Sequence, residues 1–346
     1  MELIVLKFGG TSISNREGFS KSLQHIKKEL ILKNKVICVV SAMGRDESPY
    51  ATDTLKNLLK NYVSKKEQDR LLSIGEIISS ILFTDYLIEN QINALSLSTK
   101  EIGIITNNKF TDADIINIKN NDLLNKLLDY DVLVIPGFQG LTINDEVTTL
   151  GRGGSDTTAI ALGIALNAKR VDIISDVKGV YTADPQIVDT ALKIPKLSYD
   201  VLFRMTQNGS KVLHDKGALL ANKYQIPLRF VAIDDYNSYT SVEDTQVDVI
   251  NLSYKNGYLK YSLSEKINDP NVYMINDCYY LTKDYEEKWQ QKLLNHNIKY
   301  EKLAGFSKIT LIKSKQEEYY FVESNLVKQK LNDLHKKIFQ DRKSVV

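Results

Sequence analysis

Residues 2–12 read ELIVLKFGGTS: an apolar run of strand length, a lysine, two adjacent glycines and two hydroxyls. A strand that stops at Gly9-Gly10 lets the backbone come close to a ligand, with N–H groups free to face an anion. Thr11 and Ser12 are placed to add hydroxyl donors or to cap a helix starting near Asn15. In the common phosphate loop the lysine follows the glycines; here it precedes them. Lys7 is therefore a point charge at the carboxyl end of a strand, where ligands collect in open α/β sheets. Taken alone, KFGGTS (7–12) fits a tight strand–helix turn with an exposed lysine as well as it fits an anion site.

The following two hundred residues repeat that grammar. Apolar runs ELIVL (2–6), KVICVV (35–40), INALSL (92–97), DVLVIP (131–136), RVDIIS (170–175) and PLRFVA (227–232) alternate with helical patterns near 16–33, 67–89, 119–129, 155–168 and 215–224. Alternation of this kind predicts a three-layer α/β/α domain with a mostly parallel sheet. The runs are continuously apolar, as strands covered on both faces require. Several end in glycine- or hydroxyl-rich loops: PGFQG (136–140), GRGGSDTTA (151–159) and ISDVKGVYTADP (174–185). In a parallel sheet these loops fall on one edge, and their convergence outweighs any single motif. In GRGGSDTTA, Ser155 or Asp156 is suited to cap the helix that follows. Arg152 offers a planar fork for a carboxylate or phosphate.

Past about residue 250 the composition shifts. Fifteen of the 17 glycines lie before that point and ten of the 19 tyrosines after it, while residues 251–346 carry 17 Lys and Arg against 12 Asp and Glu. Strands near 258–263, 272–282, 298–303, 307–313 and 318–323, with helices near 284–296 and 324–340, make a small α+β domain. The expected division is residues 1–240 and 250–346. The net charge of +2 gives no argument for nucleic acid. No uninterrupted apolar run approaches about 20 residues, so no membrane span is expected, and a chain entering directly on a strand reads as cytoplasmic. Cys38 and Cys278 lie in strand-like runs and are expected as buried thiols. The four histidines have no zinc-ligand spacing with them.

Taken together, KFGGTS, VVSAMGR with ATDTL, SIGEIISS, GFQG, TTLGRGGSD, SDVKGVYTADP and GSKVLH occur here in the order found in aspartokinases. Over residues 3–235 the chain resembles that group of the amino-acid kinase family, in its Gram-positive bacterial form. The resemblance implies transfer of the ATP γ-phosphoryl group to the side-chain carboxylate of L-aspartate, with Mg2+ bridged mainly by ATP oxygens and water and no protein metal ligand. It implies Lys7, Asp156 and Lys211 as catalytic residues, Asp156 holding the lysines. It implies ATP binding by Lys7, Gly9, Gly10, Ser41, Ser175, Asp176, Tyr181 and Lys211. Aspartate falls to Thr52, Glu76, Arg152, Gly154 and Ser155, with Arg152 on the α-carboxylate and Glu76 at the ammonium. A homodimer is implied, for which the tyrosine-bearing strands offer an interface.

The chemistry agrees with the residue types. A carboxylate acceptor is ionised at neutral pH and needs no general base, so the burden is alignment and charge neutralisation. The pattern is also broken in places. Gln186 replaces an arginine that commonly contacts nucleotide phosphate, a loss of roughly 1–3 kcal/mol unless another cation substitutes. Asp215 replaces a proline at a helix start, where an acidic residue is also favourable. The C-terminal stretch has room for about one of the two ACT units usual in such enzymes, so a reduced or divergent ACT-like domain is expected, without lysine or threonine feedback. A kinase with another acceptor, or a sensor paralogue without turnover, are the alternative readings.

Overall fold

The computed structural model describes residues 2–340 apart from 46, 61, 314 and 315. The chain forms two compact units: residues up to 180, 193–206 and 211–247 make the first, and 181–192, 207–210 and the stretch from 248 onward make the second.

The principal elements of the first unit are β1 (Leu3–Phe8), α1 (Arg16–Ile31), β2 (Lys35–Val40), α2 (Thr52–Asn57), α3 (Lys65–Leu72), α4 (Ile74–Glu89), β3 (Ala94–Ser96), β4 (Val132–Pro136), α5 (Gly154–Ala165), β5 (Arg170–Ser175), α6 (Asp215–Tyr224), β6 (Leu228–Ala232) and β7 (Asp235–Val242). The sheet order is β7-β6-β5-β1-β2-β4-β3, with the short strand Lys196–Leu197 outside β7. From β6 to β3 every pairing is parallel, and β7 returns antiparallel to β6. Phe8 is in register with both Val40 and Ile174, and Val40 with Pro136, so four central strands end level.

Period-two alternation in β1 distributes its side chains between two helical layers. Ile4, Leu6 and Phe8 join Phe19, Leu23 and Ile26 of α1 and Phe83 and Leu87 of α4 in one core. Val5 points to the other face, toward α5, where a Cβ on Gly163 would stand 2.4 Å from Val171 and 3.9 Å from Val5. The α/β class and mostly parallel sheet expected from the sequence are present.

Several local expectations are corrected. Ser73 breaks the helix expected over 67–89 into α3 and α4. The stretch 65–89 is nevertheless long and apolar enough to cross a membrane by length and composition. The absence of an uninterrupted run concealed this, because Asp69, Arg70 and Glu76 interrupt it. Half of that span is buried inside the fold, with Phe83 and Leu87 in the core, as in a core helix. A second sheet, from Ile104–Thr106, Ile115–Ile118, Gln139–Leu141 and Val147–Thr149, was not expected. Buried Asp69 ties α3 to it, accepting hydrogen bonds from Thr149 N (3.0 Å), Thr149 Oγ1 (2.6 Å) and Thr111 N (2.9 Å).

The second unit continues with β8 (Ile250–Leu263), β9 (Tyr273–Ile275), β10 (Cys278–Thr282), α7 (Glu286–Asn295), β11 (Tyr300–Lys313), β12 (Gln316–Glu323) and α8 (Val327–Gln340). They form an antiparallel sheet ordered β9-β10-β8-β11-β12. The strands expected at 298–303 and 307–313 are one long strand, β11. Gly305 (φ +86°) in β11 and Gly257 (φ +89°) in β8 absorb the irregular pairing that the sequence suggested as a break. Two cores share the long strands: Ile250, Leu252, Ile309 and Leu311 pack with α8, and Leu259, Tyr261, Tyr279 and Leu281 pack with Trp289 and Leu293 of α7. Residues 181–192 belong to the first of these cores through Ala183 and Val188. There, His335 of α8 hydrogen-bonds Thr182 Oγ1 (2.9 Å) and Thr190 Oγ1 (3.1 Å). Both cysteines are free thiols; Cys38 is buried, whereas Cys278, expected buried, is half-buried.

Candidate active site

The loops after β1, β2, β4 and β5 leave the same edge of the sheet because those neighbouring strands are parallel and end in register. At its centre the Lys7 ammonium lies 2.7 Å from Asp156 Oδ1, and both side chains are largely screened from water. The contact is an ion pair and not an aligned hydrogen bond. Asp156 is held in the first turn of α5, where the helix dipole favours its charge. The expected association of Asp156 with a lysine therefore exists for Lys7. Lys211 is exposed, and no ion pair joins it to Asp156 among the described residues.

The two glycines of KFGGTS do different work. A Cβ on Gly10 would stand 2.4 Å from the Ala42 carbonyl oxygen and 2.6 Å from that of Gly44, so this glycine admits the loop after β2. Gly44 N–H closes the contact by donating to the Gly10 carbonyl at 3.0 Å. Gly9 has room: its nearest neighbours would be Lys7 Nζ at 3.8 Å and the Ile174 carbonyl oxygen at 3.9 Å. Thr11 and Ser12 do not cap the helix. Asn15 does, accepting from Gly18 N–H at 2.9 Å, because residues 10–13 form a 3-10 turn that moves the helix start past them.

Glu76 enters from the first turn of α4 and is buried. Its Oε1 accepts the Ala42 N–H at 3.0 Å, and its Oε2 is buried with no partner among the described residues. Burial pushes its carboxyl up to about 8, opposed by the Ala42 hydrogen bond and by the nearby charge of Lys7. A buried carboxyl with one satisfied oxygen, in the field of a lysine, is suited to accept a hydrogen bond from a ligand's donor group. Gly75 lets α4 approach: a Cβ there would lie 2.6 Å from the Tyr50 carbonyl oxygen and 2.8 Å from Ala42 Cβ. Ser41, whose N–H donates to the Phe8 carbonyl at 3.2 Å, and Thr52, the first residue of α2, are partly exposed on the same loop system.

The GRGG turn packs where the chain has no side chains to spare. Gly151 and Gly153 take positive φ (+77° and +66°), and Gly153 itself is the residue preceding α5, so neither Ser155 nor Asp156 caps that helix. Gly137 lies against Ser155, whose Oγ would be 2.9 Å from a Cβ placed there, and Gly154 against the Phe138 ring. Ser155 is thereby buried between the loop after β4 and the start of α5, while Arg152 is exposed and makes no ion pair among the described residues. One supporting residue escaped sequence reading. Lys216 of α6 donates to the Ala113 and Leu150 carbonyls (2.9 and 3.3 Å) and pairs with Asp112 (2.7 Å) and Asp114 (3.0 Å), fixing the approach to Gly151. Only its place two residues after LH (213–214) marks it in the sequence.

On the other flank, Ser175 ends β5, its Oγ accepting the Val177 N–H at 3.2 Å. Exposed Asp176 lies 3.9 Å from Arg45 of the loop after β2. Tyr181 falls in the second unit, its carbonyl accepting from Asn251 Nδ2 at 3.0 Å. Gln186 is likewise there, its N–H bonded to Asp184 Oδ1 at 2.9 Å. Residues 2–232 match the model of the amino acid kinase family. The chain belongs to that family. Aspartokinase 1 of Bacillus subtilis is 44% identical over 232 residues, which are 66% of this chain and 57% of that protein. The aspartokinase of Helicobacter pylori strain 26695 is 41% identical over 229 residues, covering 65% and 55%. The chain thus spans a little under three fifths of the length of these curated relatives. In fold it is similar to E. coli aspartokinase III solved in complex with aspartate and ADP, with a TM-score of 0.76 at 22% identity, covering 98% of this chain and all of that one. Clostridium acetobutylicum aspartate kinase follows with a TM-score of 0.70 at 16% identity, covering 97% and 99%.

Proposed function

We propose that this chain is an aspartate kinase: it transfers the ATP γ-phosphoryl group to the side-chain carboxylate of L-aspartate and yields 4-phospho-L-aspartate. The observation that carries the reading is the Lys7–Asp156 pair beside a buried Glu76 with one unpartnered oxygen. Similarity to a named aspartokinase over 232 residues supports it. Two anions must meet in this reaction, so the site's task is to neutralise and align. Lys7, oriented by Asp156, meets the transferring phosphoryl group; Gly9, free of a side chain, leaves room for it, and Ser41 brings a hydroxyl to it. Ser175, Asp176 and Lys211 serve the nucleotide. The α-ammonium of aspartate satisfies Glu76 Oε2, Arg152 takes its α-carboxylate, and Thr52, Gly154 and Ser155 complete the aspartate site.

In this reading magnesium comes to the site with ATP. When bound through phosphate oxygens and water, the ion would neutralise charge on the polyphosphate. The first unit carries the chemistry in this reading, and the second is a divergent ACT-like module for regulation or dimerisation. Incubation with Mg-ATP, hydroxylamine and either L-aspartate or L-glutamate tests it. Aspartyl hydroxamate with aspartate alone is the expected result; hydroxamate from glutamate, or none from either, overturns it.

A further inference from the structure

The loop over residues 107–114 joins the strands Ile104–Thr106 and Ile115–Ile118 of the second sheet. Within it Thr111 takes φ +73°, a left-handed conformation that a β-branched side chain seldom enters. Strain of this kind persists only where the surroundings over-determine the backbone, and here they do so from three sides. Thr111 N–H donates to buried Asp69 (2.9 Å), and Ala113 N–H donates to the Thr149 carbonyl (2.8 Å). From the third side comes Lys216, the second residue of α6. Its ammonium lies among five oxygens: Asp112 Oδ1, Asp114 Oδ1 and the carbonyls of Asp112 (3.1 Å), Ala113 and Leu150. An ammonium has three protons to give, so its donors are fully committed to the protein.

The same loop bears on the turn that carries Arg152. A Cβ on Gly151 would stand 2.9 Å from Asp112 Oδ1 and 3.5 Å from the Thr111 carbonyl oxygen. On the other flank, a Cβ on Gly153 would stand 2.2 Å from the Cβ of His214, the residue preceding α6. The leading residues of α6 thus grip both glycines around Arg152, one directly and one through Asp112. We propose that Lys216 is a positioning residue for the acceptor: it holds the strained loop against Gly151 and thereby fixes the backbone from which Arg152 reaches the acceptor's α-carboxylate. The inference rests on the aspartate-kinase reading for the identity of the acceptor. A guanidinium fork meets a carboxylate in a planar, two-point geometry, so a small shift at its root forfeits more than a point charge would lose. The phosphoryl side, built on Lys7 and Gly9, shares none of these contacts.

Initial-rate kinetics of the full chain, read as aspartyl hydroxamate, test the clamp. Lys216→Met keeps the stem and removes the charge. It is expected to raise KM for aspartate about tenfold, with KM for ATP unchanged and kcat within about threefold. A double-mutant cycle with Arg152→Ala separates positioning from a merely structural role. Adding Lys216→Met to Arg152→Ala is expected to change KM for aspartate by less than about twofold, because the group it positions is already gone. Losses that multiply overturn the inference, as does a native KM for aspartate in Lys216→Met. Asp114→Asn, at an exposed partner of Lys216, serves where Lys216→Met folds poorly: it is expected to raise KM for aspartate about two- to threefold, and no rise overturns the inference. A wild type that forms no aspartyl hydroxamate refutes the aspartate-kinase reading, and amide hydrogen exchange then decides on the clamp by itself. Exchange over residues 110–114 and 150–153 is expected to be at least about tenfold faster in Lys216→Met than in the wild type, with the central sheet unchanged; equal rates overturn the clamp.

Discussion

Lys7 and Glu76 show how one residue's surroundings decide its chemistry. Lys7 is placed by β1 and held by Asp156, so its charge is presented at the sheet edge with little rotamer freedom left to lose. Lys7→Ala is expected to lower turnover by about 10²–10³-fold, the usual loss for a charge that stabilises a transition state, with an unchanged circular dichroism spectrum. Near-native turnover would show that the phosphoryl group is met elsewhere. Glu76 makes a pH-dependent demand on the fold. Below about pH 4.5 its carboxyl is protonated in folded and unfolded chains alike; above that the unfolded chain releases the proton, while the folded chain holds it up to about pH 8. Its contribution to stability is therefore full below the unfolded value and is lost as pH rises through the folded one. Glu76→Gln is expected to melt several degrees above the wild type at pH 8 in the absence of substrate, with the difference shrinking by pH 5; equal melting at both pH values would disprove the burial argument. The burial of Glu76 was legible in its apolar neighbours, IGEIISSILF. Its half-satisfied state was not, because that depends on the Ala42 N–H, 34 positions away.

At the scale of elements, the parallel sheet and its major helices were readable because each is a continuous period of adequate length. The four-stranded second sheet was not, since strands of three or four residues carry too little pattern to separate from loop. Caps were misplaced for a related reason: Thr11, Ser12, Ser155 and Asp156 are all good capping residues by type, and backbone geometry chose Asn15 and Gly153. The glycine pair gives the sharpest test of element packing. Gly10→Ala drives a methyl group into two backbone carbonyls and is expected to cost about 1–3 kcal/mol in denaturant unfolding. Gly9→Ala meets only ordinary contacts and is expected to leave stability within about 0.5 kcal/mol. A reversed order would mean that the loop after β2 yields readily.

For the whole molecule, the important fact is that the second unit is discontinuous in sequence. Residues 181–192 leave the first unit, contribute Ala183 and Val188 to a core built by β8, β11 and α8, and return. Composition marked the change near residue 250 but could not show this excursion, because an isolated dozen residues has no statistical signature of the core it joins. A chain ended at residue 247 would keep Ala183 and Val188 while losing Ile250, Leu252, Ile309 and Leu311. It is expected to be aggregation-prone and to melt well below the full chain; a soluble truncation with an unchanged melting temperature would refute that dependence. Trp289 adds an optical consequence. It is the chain's one tryptophan, fully buried between Tyr261, Tyr279 and Leu293 in the second unit. Indole emission from the native sequence is therefore a single-site reporter, silent about the loops around Lys7 unless a disturbance there reaches α7. A spectral shift on adding nucleotide or an amino acid would detect communication with the second unit without any label.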